Sequence, residues 1–169
     1  MMLLSAPQWI ILAVALLRLA ELIHAARNQR RLLAAGGREI GAGHYPLFVL
    51  LHGAWLIALF ILVPADAPIH AVPLALFGAL LAVRFWIILS LGRFWTTRIV
   101  TMPGAPLVRS GPYRFVRHPN YLVVVGEIAV LPLVFGAWPI ALVFSALNAA
   151  LLSYRIRVED AALGGRRAL

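Results

Sequence analysis

The sequence predicts an all-α integral membrane protein built as one bundle of five transmembrane helices. Hydrophobic residues make up 63% of its 169 positions and charged residues only 12%, against roughly 45–50% apolar content in soluble domains. Five runs come close to the roughly 20 apolar residues that cross a bilayer as a helix. Arginines gather on alternate connections between those runs, as the positive-inside bias requires.

The runs cover about residues 5–26, 45–64, 69–91, 120–136 and 138–155. The first has no basic stretch ahead of it and contains Arg18 and Glu21, so it reads as a retained span rather than a cleavable signal. Arg27, Arg30, Arg31 and Arg38 follow it, and Arg93, Arg98, Arg109, Arg114 and Arg117 follow the third run. Arg155, Arg157, Arg166 and Arg167 end the chain, while residues 65–68 and Gly136-Ala137-Trp138 carry no arginine. With five spans this alternation predicts an outward N-terminus and a cytosolic C-terminus. The last two runs are joined by Gly136-Ala137-Trp138-Pro139 and should form a helical hairpin that returns the chain to its starting face, close to Tyr121 with Arg155.

Composition also excludes several classes. The formal charge is +9, and every one of the 15 basic residues is arginine. Those arginines flank apolar runs, where topology and anionic lipid account for them better than nucleic acid does. There is no cysteine, hence no disulfide and no thiolate metal site. The histidines at 24, 44, 52, 70 and 118 lack short ligand spacing, so no metal is expected.

Chemistry concentrates at the arginine-rich face. Gly111-Pro112-Tyr113-Arg114 and Arg117-His118-Pro119-Asn120-Tyr121 open the fourth run, and Arg155-Ile156-Arg157-Val158-Glu159-Asp160 closes the fifth. Pro119 suits the first position of a helix, whose missing N–H would be unpaired in any case. The terminus it opens, with free N–H groups and a positive dipole end, suits a carboxylate or phosphate. The competing reading makes Arg114, Arg117 and Tyr121 ordinary interfacial anchors.

A second pattern is one of depth. Arg18, His52, Arg84, Glu127 and Asn148 each fall roughly 10–12 Å inside their helix ends, one per span, at about 1.5 Å of rise per residue. Charges in hydrocarbon face a bundle interior or a cavity, so these five residues predict a polar chamber beneath the cytosolic surface. The alternative is local satisfaction: Arg18 with Glu21 one turn away, Arg84 snorkelling, His52 and Asn148 on neighbouring backbone.

The run from Gly111 to Tyr121, with Arg155 and Glu159, resembles the isoprenylcysteine carboxyl methyltransferase family in order and spacing, over about the C-terminal 70 residues. Upstream, Arg27-Asn28, Gly36-Gly37-Arg38-Glu39 and His44-Tyr45-Pro46 through His52 resemble a bacterial branch of that family, several members of which are thought to O-methylate phenolic or pyrone lipids. The resemblance implies one membrane methyltransferase domain over 1–169, with its cofactor-binding part at about 92–169. It implies S-adenosylmethionine entering from the cytosol, and a lipophilic or prenylated acceptor entering from the bilayer of a bacterial inner membrane.

Carried over by position, Tyr113, His118, Pro119 and Tyr121 would shape the cofactor site and Glu159 would bind the ribose or amino group. Arg155, with Arg157 as the weaker candidate, would meet the amino-acid carboxylate or the acceptor oxygen. Asn148 is grouped with the cofactor contacts. A phenolic acceptor, with a pKa near 10, gains from a nearby cation and a base, and Arg84 or Arg155 with Glu127 or His52 are the candidates. An i,i+4 ion pair between Arg155 and Glu159 is the structural alternative. Other readings are an NADPH-dependent lipid reductase sharing the Arg-His-Pro-x-Tyr hairpin, a phospholipid N-methyltransferase, and a non-catalytic lipid-binding subunit. Residues 92–110, with Trp95 and Arg98 as candidate substrate contacts and a turn near Pro106, read either as a lid or interfacial helix or as a plain connector.

Overall fold

The computed structural model describes residues 4–105 and 107–163. Pro106, Arg166 and Arg167, all used above, lie outside the described residues. The chain runs α1 (Ala6–Ala34), β1 (Arg38–Ile40), α2 (Tyr45–Leu62), α3 (Ala71–Leu91), β2 (Ile99–Thr101), α4 (Pro119–Val134) and α5 (Trp138–Leu163). Short 3-10 turns sit at Ala42–His44, Gly92–Phe94 and Gly111–Arg114.

Helix ends follow local chemistry. Ser5 caps α1 by accepting from the Gln8 backbone at 3.4 Å while Gln8 Oε1 accepts from the Ser5 backbone at 2.9 Å, a reciprocal capping box. Beyond α1, Gly36 takes φ +90°, a left-handed conformation that glycine enters without a Cβ clash. Pro119 occupies the first turn of α4 as expected, and Gly136, at φ +69°, makes the turn into α5.

α1, α2, α3 and α5 are long and apolar enough to cross a membrane, whereas α4 is a shorter apolar helix of 16 residues. The core joins Ile11 and Val14 of α1, Trp55 and Leu59 of α2, Phe77 of α3, and Ile128 and Leu131 of α4. Many large apolar side chains remain outside, Val72 at 80% and Leu89 at 78% exposure among them. Such a surface suits lipid and would be an aggregation hazard in water.

The fold is mostly helical, as expected, and two details differ. β1 and β2 add one small antiparallel pair, with Arg38 opposite Thr101 and Ile40 opposite Ile99. Among its described residues the 92–110 segment holds a 3-10 turn at Gly92–Phe94 and the strand β2 but no α-helix. Its Ile99-Val100-Thr101 run is β-branched throughout, and such residues favour extended backbone. The outer helices also outrun the predicted spans, α1 continuing past residue 26 to Ala34 and α5 past 155 to Leu163.

These extensions matter because they gather three distant stretches at one end of the bundle. Asn28 on α1 donates its side-chain amide to the carbonyls of Gly92 and Trp95 at 3.1 and 3.0 Å. Arg155 on α5 donates to the Thr97 carbonyl at 2.7 Å.

Candidate active site

Deep in the bundle, α1, α3 and α4 each contribute charge to one cluster. Arg84 and Glu127 are 6% and 4% exposed. Arg84 Nε lies 3.0 and 3.1 Å from the two Glu127 oxygens, and its Nη2 also donates to Glu127. Arg18 reaches Glu21 at 2.9 Å and Glu127 at 3.4 Å, and Arg84 lies 3.5 Å from Glu21. Two cations thus meet two carboxylates, the condition under which charge is tolerated away from water. His52, from α2, bonds the Phe48 carbonyl through Nδ1 at 2.8 Å. A carbonyl only accepts, so Nδ1 carries the proton and Nε2 is left as the basic nitrogen.

At the arginine-rich end a second cluster spans the α4–α5 hairpin. Arg155 Nε donates to the Tyr121 hydroxyl at 2.9 Å, and that hydroxyl donates in turn to Glu159. Arg155 and Glu159 are therefore linked through a phenol rather than by the i,i+4 ion pair considered above. His118 stacks on Tyr121 with ring centroids 5.2 Å apart and lies 3.0 Å from Asp160 through Nε2. Burial and then the nearby Glu159 carboxylate push the Tyr113 phenol above its ordinary pKa, so it stays protonated at neutral pH.

Two cavities flank this second cluster. One, of about 340 Å³, is mostly apolar and runs between α1 and α2 past Leu19, Val49 and Gly53 to Arg18, Glu21, His52 and Arg84. The other, of about 400 Å³, opens at the end of the bundle among Arg98, Arg109, Tyr113, Arg117, His118 and Glu159. Both fall in the range of about 300–1,000 Å³ usual for small-molecule sites. Trp95, Thr96, Asn120, Tyr121 and Arg155 line both, and so form a shared wall.

The sequence candidates divide accordingly. Tyr113, His118, Tyr121, Arg155 and Glu159 meet at the polar cavity, while Arg84 and His52 meet at the apolar one. Glu127 stands behind Arg84 and borders only a void of about 10 Å³. Pro119 is buried at the start of α4 without lining either larger cavity. Asn148 is 1% exposed and Arg157 is exposed, and neither borders a cavity described here. Equal depth does not fix helix rotation, which is why Asn148 shares the level of the other four but not their partners. Sequence reasoning passed over Glu21 and Asn120 as site residues. Glu21 was legible as an acid three residues after Arg18, on the same helix face, whereas Asn120 acquires meaning only once Arg84 is seen beside it.

Fold and site together define a helical membrane protein in which a polar cavity and a mostly apolar one meet at one wall. The chain belongs to the Isoprenylcysteine carboxyl methyltransferase (ICMT) family, which matches it over residues 71–164, and so to a class of membrane methyltransferases that use S-adenosylmethionine. It is 37% identical to the uncharacterized protein YpbQ of Bacillus subtilis (strain 168), across 92% of this chain and 95% of that one. It is also 28% identical to an uncharacterized protein of Haemophilus influenzae, across 87% and 88% of the two chains. No solved structure matches it.

Proposed function

We propose that this protein moves a methyl group from S-adenosylmethionine to an oxygen of a lipophilic acceptor, a carboxylate or a phenol or pyrone hydroxyl, that enters from the bilayer. The observation that carries the reading is the wall shared by the two cavities. A water-soluble donor and a lipid can be held on its two sides with their reacting atoms near Arg155 and Tyr121.

The polar cavity suits the cofactor chemically. Arg109 and Arg117 line it without an ion pair among the described residues, and so offer charge to an amino-acid carboxylate. Glu159 offers a carboxylate to an amino or ribose group, and Tyr113 an aromatic surface. The cofactor, when bound, supplies a sulfonium methyl that is already activated. The residues therefore need mainly to align, and alignment is worth up to roughly 7–11 kcal/mol of barrier.

As the new oxygen–carbon bond forms, the carbon–sulfur electron pair remains on sulfur. A carboxylate acceptor has no proton to lose. A hydroxyl acceptor does, and His52 Nε2 or Glu21, which line the apolar cavity, is better placed to take it than Glu127, which borders a void of about 10 Å³ instead. Glu127 is then the residue that holds Arg84. We assign the N-terminus to the outside and the polar cavity to the cytosol of a bacterial inner membrane, on the arginine alternation.

The test is calorimetry of S-adenosylhomocysteine and, separately, NADPH on detergent-purified protein. Binding of S-adenosylhomocysteine alone, weakened at least tenfold by Glu159→Ala, is the expected result. Binding of NADPH instead, or of neither by folded protein, would overturn the proposal.

A further inference from the structure

Asn120 has no role in the account so far, yet it stands where the two cavities meet. It is the second residue of α4, and its Oδ1 accepts from Arg84 Nη1 at 3.4 Å. A guanidinium only donates, so this contact turns the amide oxygen toward Arg84 and leaves the two N–H donors pointing elsewhere. No described residue accepts from Nδ2. Arg84 cannot easily turn, because Glu127 grips it from behind and Glu127 is itself held by Arg18. The buried charge cluster therefore ends, at the wall, in one side-chain amide with a defined orientation and unused donors.

Trp95 lines the same wall, but its indole N–H is buried and closed off from both cavities. The Asn120 amide is therefore the donor that this shared surface offers to a ligand. A methyl transfer requires one acceptor atom at that place, the receiving oxygen.

We propose that Asn120, oriented by Arg84, donates an N–H to the reacting oxygen of the acceptor and aims it at the polar cavity. The inference rests on the methyltransferase reading. It makes the preferred acceptor one that reacts as an oxygen anion, a phenolate, enolate or carboxylate, because a neutral amine would gain nothing from an N–H donor on its lone pair. The hydrogen bond uses one lone pair of the oxygen and leaves another to form the bond to carbon. The amide proton stays on Asn120.

The experiment compares Asn120→Asp and Asn120→Ala with wild type. Affinity for S-adenosylhomocysteine is measured by calorimetry, and methyl transfer is measured with the better of pentadecylphenol and N-acetyl-S-farnesylcysteine. Asn120→Asp keeps the shape and the Arg84 contact but sets a carboxylate against an anionic oxygen. It should lower kcat about 100-fold, as loss of a donor to a reacting oxygen does elsewhere, with S-adenosylhomocysteine affinity within about threefold of wild type. Asn120→Ala should fall less, because it removes attraction without adding repulsion, whereas a residue needed only for packing would show the opposite order. Near-wild-type turnover by Asn120→Asp, or a loss of S-adenosylhomocysteine affinity equal to the loss of turnover, would overturn the proposal while leaving the methyltransferase intact. Wild-type protein that binds no S-adenosylhomocysteine would overturn both.

Discussion

The cluster of Arg18, Glu21, Arg84 and Glu127 and the cluster of His118, Tyr121, Arg155, Glu159 and Asp160 differ in how their charges are matched. In the first, two guanidiniums face two carboxylates with side chains only 6–13% exposed. In the second, Glu159 and Asp160 are 23% and 39% exposed; each cluster borders a cavity, the first the mostly apolar one and the second the polar one. Buried charge that is matched on both sides behaves as framework: its partners are fixed, and removing one leaves the other stranded. Charge at a solvent-facing rim keeps capacity for an incoming molecule. On that difference Glu127, deep in the bundle, is proposed as the residue that holds Arg84 and not as the base.

The contrast can be broken at its strongest point first. Glu127→Ala should strip Arg84 of its main partner and destabilise the protein by about 3–5 kcal/mol, the usual cost of a widowed buried charge, seen as a shift in unfolding by sodium dodecyl sulfate in mixed micelles. The double replacement Arg84→Met with Glu127→Met should recover most of that stability and still fail in methyl transfer. Recovery of both would show that the deep cluster has no bearing on the reaction. At the rim the balance should reverse. Arg155→Lys, unable to serve the Tyr121 hydroxyl and the Thr97 carbonyl together as the fork does, should cost about 100-fold in transfer, roughly 2.7 kcal/mol, with little change in unfolding. The smallest effect belongs to the strand clasp, where Arg98 meets Glu39 at 2.6 Å with 33% of the Arg98 side chain exposed. Screened by solvent, Glu39→Gln should cost no more than about 0.5–1 kcal/mol, and less in high salt.

Parts of this arrangement could be read from the chain because they depend on periodicity and loop length. A tight turn between two runs of similar length places Tyr121 beside Arg155, and the hydrogen bond between them follows. Arg18, His52, Arg84, Glu127 and Asn148 at one level predicted a buried polar chamber, since hydrocarbon leaves such groups nowhere else to go, and Arg18, Arg84 and Glu127 do meet. Contacts that depend on rotation or on distant pairing were not legible. Asn148 shows the first limit. The β1–β2 pair shows the second, because strands of three residues are too short to display an alternating pattern, and their pairing was set by two loops separated by two helices. Glu127 shows a third: the sequence revealed an ionisable group in the membrane but not that two arginines had already claimed it.

The brevity of α4 has an effect outside the protein. Sixteen residues rise about 24 Å, against a hydrocarbon layer of roughly 30 Å, while its neighbours α3 and α5 are longer. In the proposed topology a bilayer would meet such a short element by thinning around it, leaving a shallow crater in the leaflet beside Asn120 and Tyr121. A molecule arriving from water would then descend less far from its solvent, and a lipid headgroup would climb less far from its neighbours. The thickness of the host membrane would then be a control on how readily the two meet.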